Sequence, residues 1–229
     1  MIVLFLWQNL SLSDFKKNIV RLYVVKISKW FNLVMPIVVL FYQDNGIGMQ
    51  GIFMLKAIYS VAIVVMEIPS GWMADVWGRK KTLILGSILS SAGIFVYILS
   101  YGFWAFAVAE IILGVGYSFV SGADSAMLFD SLKAEKKSDR YVKHEGRITS
   151  AGNFAEAIAG IAGGFLATIT LRTPFYFQFA VASMAIPAAL TLVEPKIHIT
   201  EHVHSIKKLV QNIRATIVSN QNLRISILL

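Results

Sequence analysis

The chain is 229 residues long, 56% hydrophobic and only 15% charged, with a mean hydropathy of +0.66 and a formal net charge of +8. That balance excludes an ordinary soluble domain and describes a chain that crosses a membrane several times. Cysteine is absent, which removes disulfide frameworks, thiol catalysis and thiolate metal sites.

Met1 to Leu10 is apolar but has neither a basic start nor a small-residue cleavage site, so it reads as a tail rather than a signal peptide. Ser13-Asp14 ahead of Phe15, Ile19, Leu22 and Tyr23 marks a helix start, so residues 1–23 form a tail and helix feeding the first span. Six apolar segments follow, at 24–43, 50–70, 82–101, 103–128, 149–171 and 174–193. Each approaches the ~20 residues that a helix rising ~1.5 Å per residue needs to cross ~30 Å of hydrocarbon. Residues 24–193 therefore read as an all-α bundle of six transmembrane helices. Lys26 and Lys29 lie at the weak start of the first span and are expected to snorkel toward headgroups. The connections at 44–49, around 102 and at 172–173 are tiny, so neighbouring spans are antiparallel hairpins. The stretch 129–148 is longer and charged, and reads as a short solvated helix.

Past Glu194-Pro195 the composition changes, and residues 194–223 read as a linker. Ile206, Leu209, Val210, Ile213 and Ile217 form one apolar stripe opposite Lys207, Lys208 and Arg214, the pattern of an amphipathic helix lying on a membrane surface. Residues 224–229 look like the opening of a seventh span that is cut off.

Charge fixes the expected orientation. With the N-terminus inside, all of the 21 Lys and Arg except Lys56 and Arg172 fall on the inner side. Short basic loops resist translocation, so the chain is expected in the cytoplasmic (inner) membrane as a multi-pass protein. The excess charge then serves orientation and anionic lipid headgroups, not nucleic acid.

Charged groups inside a span cost several kcal/mol unless they face protein or water, so their placement shows which helices line an interior. In the second span Lys56, Ser60, Glu67 and Ser70 share a face, interrupted by Ile63. In the fourth, Glu110, Gly114, Tyr117, Ser121 and Asp124 follow helical spacing without a break. In the fifth, Asn153, Glu156, Gly160 and Gly163 do the same, and the first carries Asn32, Pro36 and Gln43. The third and sixth spans hold no ionisable residue in their cores. Helices 1, 2, 4 and 5 are therefore expected to face a cavity or a missing partner, and 3 and 6 mainly lipid.

Between the second and third spans runs Gly71-Trp72-Met73-Ala74-Asp75-Val76-Trp77-Gly78-Arg79-Lys80-Lys81, a glycine-marked cationic turn. Gly71, Asp75, Gly78, Arg79 and Lys80 keep a spacing that resembles the loop between helices 2 and 3 of major facilitator superfamily transporters, with Met73 where that family usually has Leu. The resemblance covers about residues 15–229, the first half of a twelve-helix plan plus its central linker. It implies a half-transporter built as two inverted three-helix units, with helices 1 and 4 lining a central cavity. It also implies that Asp75 meets a helix of the second half, and that Arg79 pairs with acids at the inner ends of helices 2 and 4, where Asp130 stands. The bland reading of Arg79, Lys80 and Lys81 is that they only anchor topology. Two departures stand out. Glu110-Ile111-Ile112-Leu113-Gly114 occupies the place of an Arg-x-x-x-Gly motif with its charge reversed, and Ala159-Gly160-Ile161-Ala162-Gly163-Gly164 lacks the proline of the drug antiporters.

Glu110 lies seven residues inside its span, ~10 Å deep at the helical rise. Two readings stand: a proton or cation site, or a structural pair with Lys56 at comparable depth. Glu156 carries the same ambiguity, and Glu67, Tyr117, Asp124 and Asn153 complete the transport candidates. His198 and His202 beside Glu201 could meet on a helix, yet histidines in a cytosolic linker are ordinarily solvated. No cofactor or metal is expected. Gly122-Ala123-Asp124-Ser125 places a serine near a helix end, but His144, His198, His202 and His204 all fall outside the spans, so no base serves an intramembrane hydrolase. Gly-x-x-x-x-Gly-Lys does not occur, so ATP-driven transport has no support. The reading is the N-terminal half of a secondary transporter moving a small-molecule solute by alternating access, with proton-coupled efflux expected. A sugar or metabolite permease is the alternative, as is an inactive remnant. The partners expected are the solute, protons, lipid and a complementary C-terminal six-helix half.

Overall fold

The structure is a computed structural model that describes residues 17–195. The expected N-terminal tail, the amphipathic helix, the histidines His198, His202 and His204, and the start of a seventh span lie outside the described residues. Within them the chain is helical: α1 (17–30), α2 (Val38–Asp44), α3 (Met49–Trp77), α4 (Arg79–Leu99), α5 (Phe103–Ala134), α6 (Tyr141–Ala167) and α7 (Thr173–Thr191), with a single 3-10 turn at Ser138–Arg140.

Four of these helices, α3, α4, α5 and α7, are long and apolar enough to cross a membrane. The expected first span is instead interrupted between α1 and α2, for local reasons. The Asn32 side chain accepts hydrogen bonds from the backbone N–H of Val34 (3.1 Å) and Met35 (3.2 Å), offering the chain a turn in place of helix. Pro36 then has no N–H to give and disfavours helix at Met35. The expected solvated helix at 129–148 does not form as a separate element. Instead α5 runs on to Ala134 and α6 begins at Tyr141, leaving a short link that includes the 3-10 turn. At ~1.5 Å per residue the 32 residues of α5 reach ~48 Å, well beyond a ~30 Å hydrocarbon layer.

The break between α3 and α4 is made by Gly78, whose φ of +99° is a conformation that side-chain-bearing residues rarely adopt. The freed N–H groups that follow are taken up from far along the chain: Arg79 and Lys80 donate to the two Glu194 carboxylate oxygens at 2.8 and 2.7 Å. Asn18 ties the same end together, donating to the Val193 carbonyl (2.7 Å) and the Ser131 hydroxyl (3.1 Å) while accepting from the Val193 N–H (2.9 Å).

Two apolar clusters form the core. One, toward the Gly78 end, gathers Leu22, Val25, Leu83, Met127, Leu132 and Leu192; the other, toward the opposite end, gathers Phe41, Tyr42, Leu55, Tyr97, Phe106 and Phe175. Burial does not follow the expected division of polar-facing and lipid-facing spans. The most apolar stretch of α3 is 11% buried, against 44% for α4, 50% for α5 and 39% for α7. The third span is therefore a packing helix, and the second presents a broad uncovered face. Ser87 on α4 bonds its own Leu83 carbonyl at 2.7 Å and so needs no polar surroundings.

Candidate functional site

A cavity of about 480 Å³ opens between the two clusters, with Val25 and Val120 of one and Val34, Tyr97 and Phe175 of the other among its walls. Its ionisable lining, tyrosines aside, consists of Lys29 from α1, Lys56 from α3 and Glu110 from α5. The interrupted segment supplies Asn32, Val34 and Met35, while α4 adds Ser87, Ser90 and Ile94. From α7 comes Gln178, whose side-chain oxygen accepts the Leu33 N–H at 2.8 Å and so satisfies a backbone group that the broken helix leaves open.

Glu110 is 2% exposed. One of its oxygens accepts from Lys56 Nζ at 2.6 Å and from the Tyr42 hydroxyl at 2.7 Å, and that hydroxyl also meets the hydroxyl of Tyr97. A carboxylate at this depth is held by an opposite charge and a donor, as a buried charge must be. Seven residues along α5, ~10 Å by the helical rise, Tyr117 lies under Lys29, whose ammonium sits 3.9 Å from the ring centroid. Lys29 therefore lines the cavity, where snorkelling to a headgroup was expected.

Lys26 departs from that expectation more strongly. It is buried, and its ammonium meets Glu145 at 2.5 Å, Ser125 Oγ at 3.1 Å and Asp124 at 3.8 Å. This knot joins α1, α5 and α6, and Ser125 completes it by donating to Glu145 at 3.1 Å.

At the Gly78 end Arg79 is a junction. Its guanidinium pairs with Asp130, donates to the Ala126 carbonyl at 2.6 Å and lies 3.9 Å from Asp75. Asp75 keeps 61% of its side chain exposed, Lys80 is half-buried with its N–H on Glu194, and a Cβ at Gly71 would meet nothing within 4 Å.

The remaining candidates do not converge on the cavity. Glu67 is exposed on α3, Asn153 is exposed on α6, and Glu156 is half-buried there; none of the three lines the cavity. The α3 stripe thus splits: Lys56 lines the cavity while Ser70 is buried against the Ser118 hydroxyl at 2.9 Å. On α5, Glu110 and Tyr117 reach the cavity but Asp124 belongs to the Lys26 knot. Sequence reasoning missed Tyr97, Lys29 and Gln178, which line the cavity, and Tyr42, which donates to Glu110. Only Lys29 had a signal, since one helical step back from Asn32 on the first-span stripe reaches it. Among the described residues no group of three or more His, Asp or Glu is placed to hold a metal.

A family model described as Major Facilitator Superfamily matches residues 29–228. The quinolone resistance protein NorA of Staphylococcus aureus is 25% identical over 165 residues, covering 72% of this chain and 42% of that protein. Multidrug resistance protein 2 of Bacillus subtilis (strain 168) is 25% identical over 169 residues, 74% of this chain and 41% of its own length. The chain thus spans less than half the length of these relatives.

Proposed function

Because the chain belongs to the major facilitator superfamily, we propose that it forms the N-terminal bundle of a proton-coupled exporter of small amphipathic solutes. Membrane transport is the family's work, and the relatives' names speak of drug resistance. Six crossings follow if the interrupted α1–α2 pair is the first and α6 the fifth. The Gly78 turn and the N-terminus then face the cytoplasm, as the distribution of Lys and Arg favours. The uncovered face of α3 and the exposed Asp75 suit a second bundle, with the solute held between the two halves and Arg79–Asp130 closing the inner end. Nothing in the cavity favours covalent chemistry, and a transporter rather than an enzyme is the reading.

One observation carries the coupling step: the buried Glu110 carboxylate holds Lys56 at the cavity wall. Ionised, it neutralises that ammonium. A proton delivered to it cancels the pair, leaves Tyr42 facing a neutral acid, and adds one positive charge to the cavity. A bilayer-embedded bundle that changes its internal charge by one changes which conformation is favoured, which is what coupling requires. The test is proteoliposome transport of a panel of fluorescent aromatic solutes with anionic, neutral and cationic heads under an imposed pH gradient. Glu110→Gln is expected to abolish gradient-driven accumulation while leaving passive equilibration. An unchanged pH dependence in that variant would remove Glu110 from the coupling role.

A further inference from the structure

Among the described residues no carboxylate oxygen lies within 4 Å of the Lys29 ammonium; its close partner is the face of Tyr117 at 3.9 Å. Asp124 of the neighbouring helix acts on Lys29 only at longer range and also lies 3.8 Å from Lys26, whose own contact partner is Glu145 at 2.5 Å. Lys56 is already matched by Glu110 at 2.6 Å. Apart from its tyrosines, the ionisable lining therefore sums to one excess positive charge while Glu110 is ionised. The remaining walls include the aromatic rings of Tyr59, Tyr97 and Phe175 and the apolar Ile94 and Leu113.

A half-buried ammonium with no carboxylate in contact is an incomplete pair, because its burial removes water while Asp124 acts on it only at longer range. A ring stack offsets only part of that loss. Beside the polar Ser28, Asn32, Ser87, Ser90 and Gln178, the lining is aromatic and aliphatic, which suits a flat ring better than a heavily hydrated inorganic anion. We propose that the cavity binds an organic monocarboxylate with an aromatic body, and that Lys29 is the residue that takes its carboxylate. The ring lies toward Phe175 and Tyr97, and the head displaces Lys29 from Tyr117. The proposal rests on the transport reading for its purpose but concerns binding alone.

The experiment uses the full chain in lipid nanodiscs and three tritiated probes with one ring system: 2-naphthoate, 2-naphthylmethanol and 2-naphthylmethylamine. Equilibrium binding is measured by scintillation proximity, with empty nanodiscs subtracted. The expected result is naphthoate binding at least tenfold tighter than the alcohol or the amine. Lys29→Gln should bring naphthoate down to the level of the alcohol without moving the alcohol, and Lys29→Arg should retain the preference. Equal binding of the three heads by the unaltered protein, absence of naphthoate binding, or full preference in a Lys29→Gln protein of unchanged thermal stability would each overturn the proposal. Because the comparison among heads needs no variant, a misfolded substitution does not shield it. Equal binding of the three heads alongside gradient-driven transport would sink this inference and keep the transport reading. Naphthoate preference without any transport would do the reverse.

Discussion

Lys26 and Glu145 stand 119 positions apart and meet at 2.5 Å, with 6% of the lysine side chain and 27% of the glutamate side chain exposed. The contact pins α1 to the start of α6 across α5. Removing one member of such a buried pair strands the other charge and costs ~3–5 kcal/mol, whereas replacing both with apolar groups of similar size is far milder. Lys26→Met and Glu145→Leu are each expected to lower the thermal midpoint in detergent markedly. The double variant should recover most of the loss. Additive losses in the double variant would show that the two side chains do not act as a pair.

The pair was hidden from sequence reasoning for a physical reason. Glu145 sits in a charged stretch that looks solvated, and only the continuation of α5 and the early start of α6 bring it under α1. What was legible is what depends on local chemistry. The Gly78 turn and the approximate extents of α4 and α7 follow from residue type and spacing, whereas α3 and α5 run well past the apolar segments at 50–70 and 103–128. For Glu110, spacing left a pair with Lys56 and a proton or cation site both open. Arg79 beside Asp130 was reached only through family resemblance. Polar stripes do not by themselves say which residues reach the cavity, because some side chains satisfy themselves. Ser60 bonds the Lys56 carbonyl at 3.0 Å, so it can stand exposed on α3 while the stripe above it turns elsewhere. Asn153 and Glu156 on α6 show the same limit, since periodicity names a face but not what covers it.

Arg172 is expected to be the fastener of the end opposite Gly78. Its guanidinium donates to the carbonyls of Ile98 (2.5 Å) and Ser100 (3.2 and 3.3 Å) and to the Asn45 side chain (3.2 Å), and it stacks 4.2 Å over the Tyr101 ring. The Ile98 and Ser100 carbonyls lie at the end of α4, where helix oxygens are left without intrahelical partners, and a cation there also suits the helix dipole. Charge-assisted hydrogen bonds are worth ~1.5–3 kcal/mol each, and the set is not additive. Arg172→Ala should therefore lose roughly 3 kcal/mol of stability, and Arg172→Lys about half of that, because an ammonium cannot reproduce the planar fork. Chemical denaturation followed by tryptophan fluorescence checks it. Equal stability of the alanine variant would mean that water serves these carbonyls as well.

The backbone of Leu33, between the cavity-lining Asn32 and Val34, is held closely on both sides. Its N–H donates to Gln178 at 2.8 Å, and its carbonyl oxygen lies so close to Gly163 of α6 that a side chain there would collide with it. The interrupted first span is thus held from two sides, by a hydrogen bond from α7 and by close approach to α6. Gln178→Leu leaves the N–H unsatisfied in a largely apolar wall, at a cost of ~1–3 kcal/mol. Gly163→Ala forces backbone against Cβ, which neither helix absorbs without moving. Both variants are expected to shift the Asn32–Met35 segment, and with it the cavity. In proteoliposome transport they should lower turnover more than they lower thermal stability. Glutamate at 178 keeps an acceptor oxygen, so Gln178→Glu should keep the hydrogen bond, while a negative charge in the same cavity as Lys29 should specifically weaken 2-naphthoate. If Gln178→Leu proved as active as the unaltered protein, the segment would be holding its shape without α7.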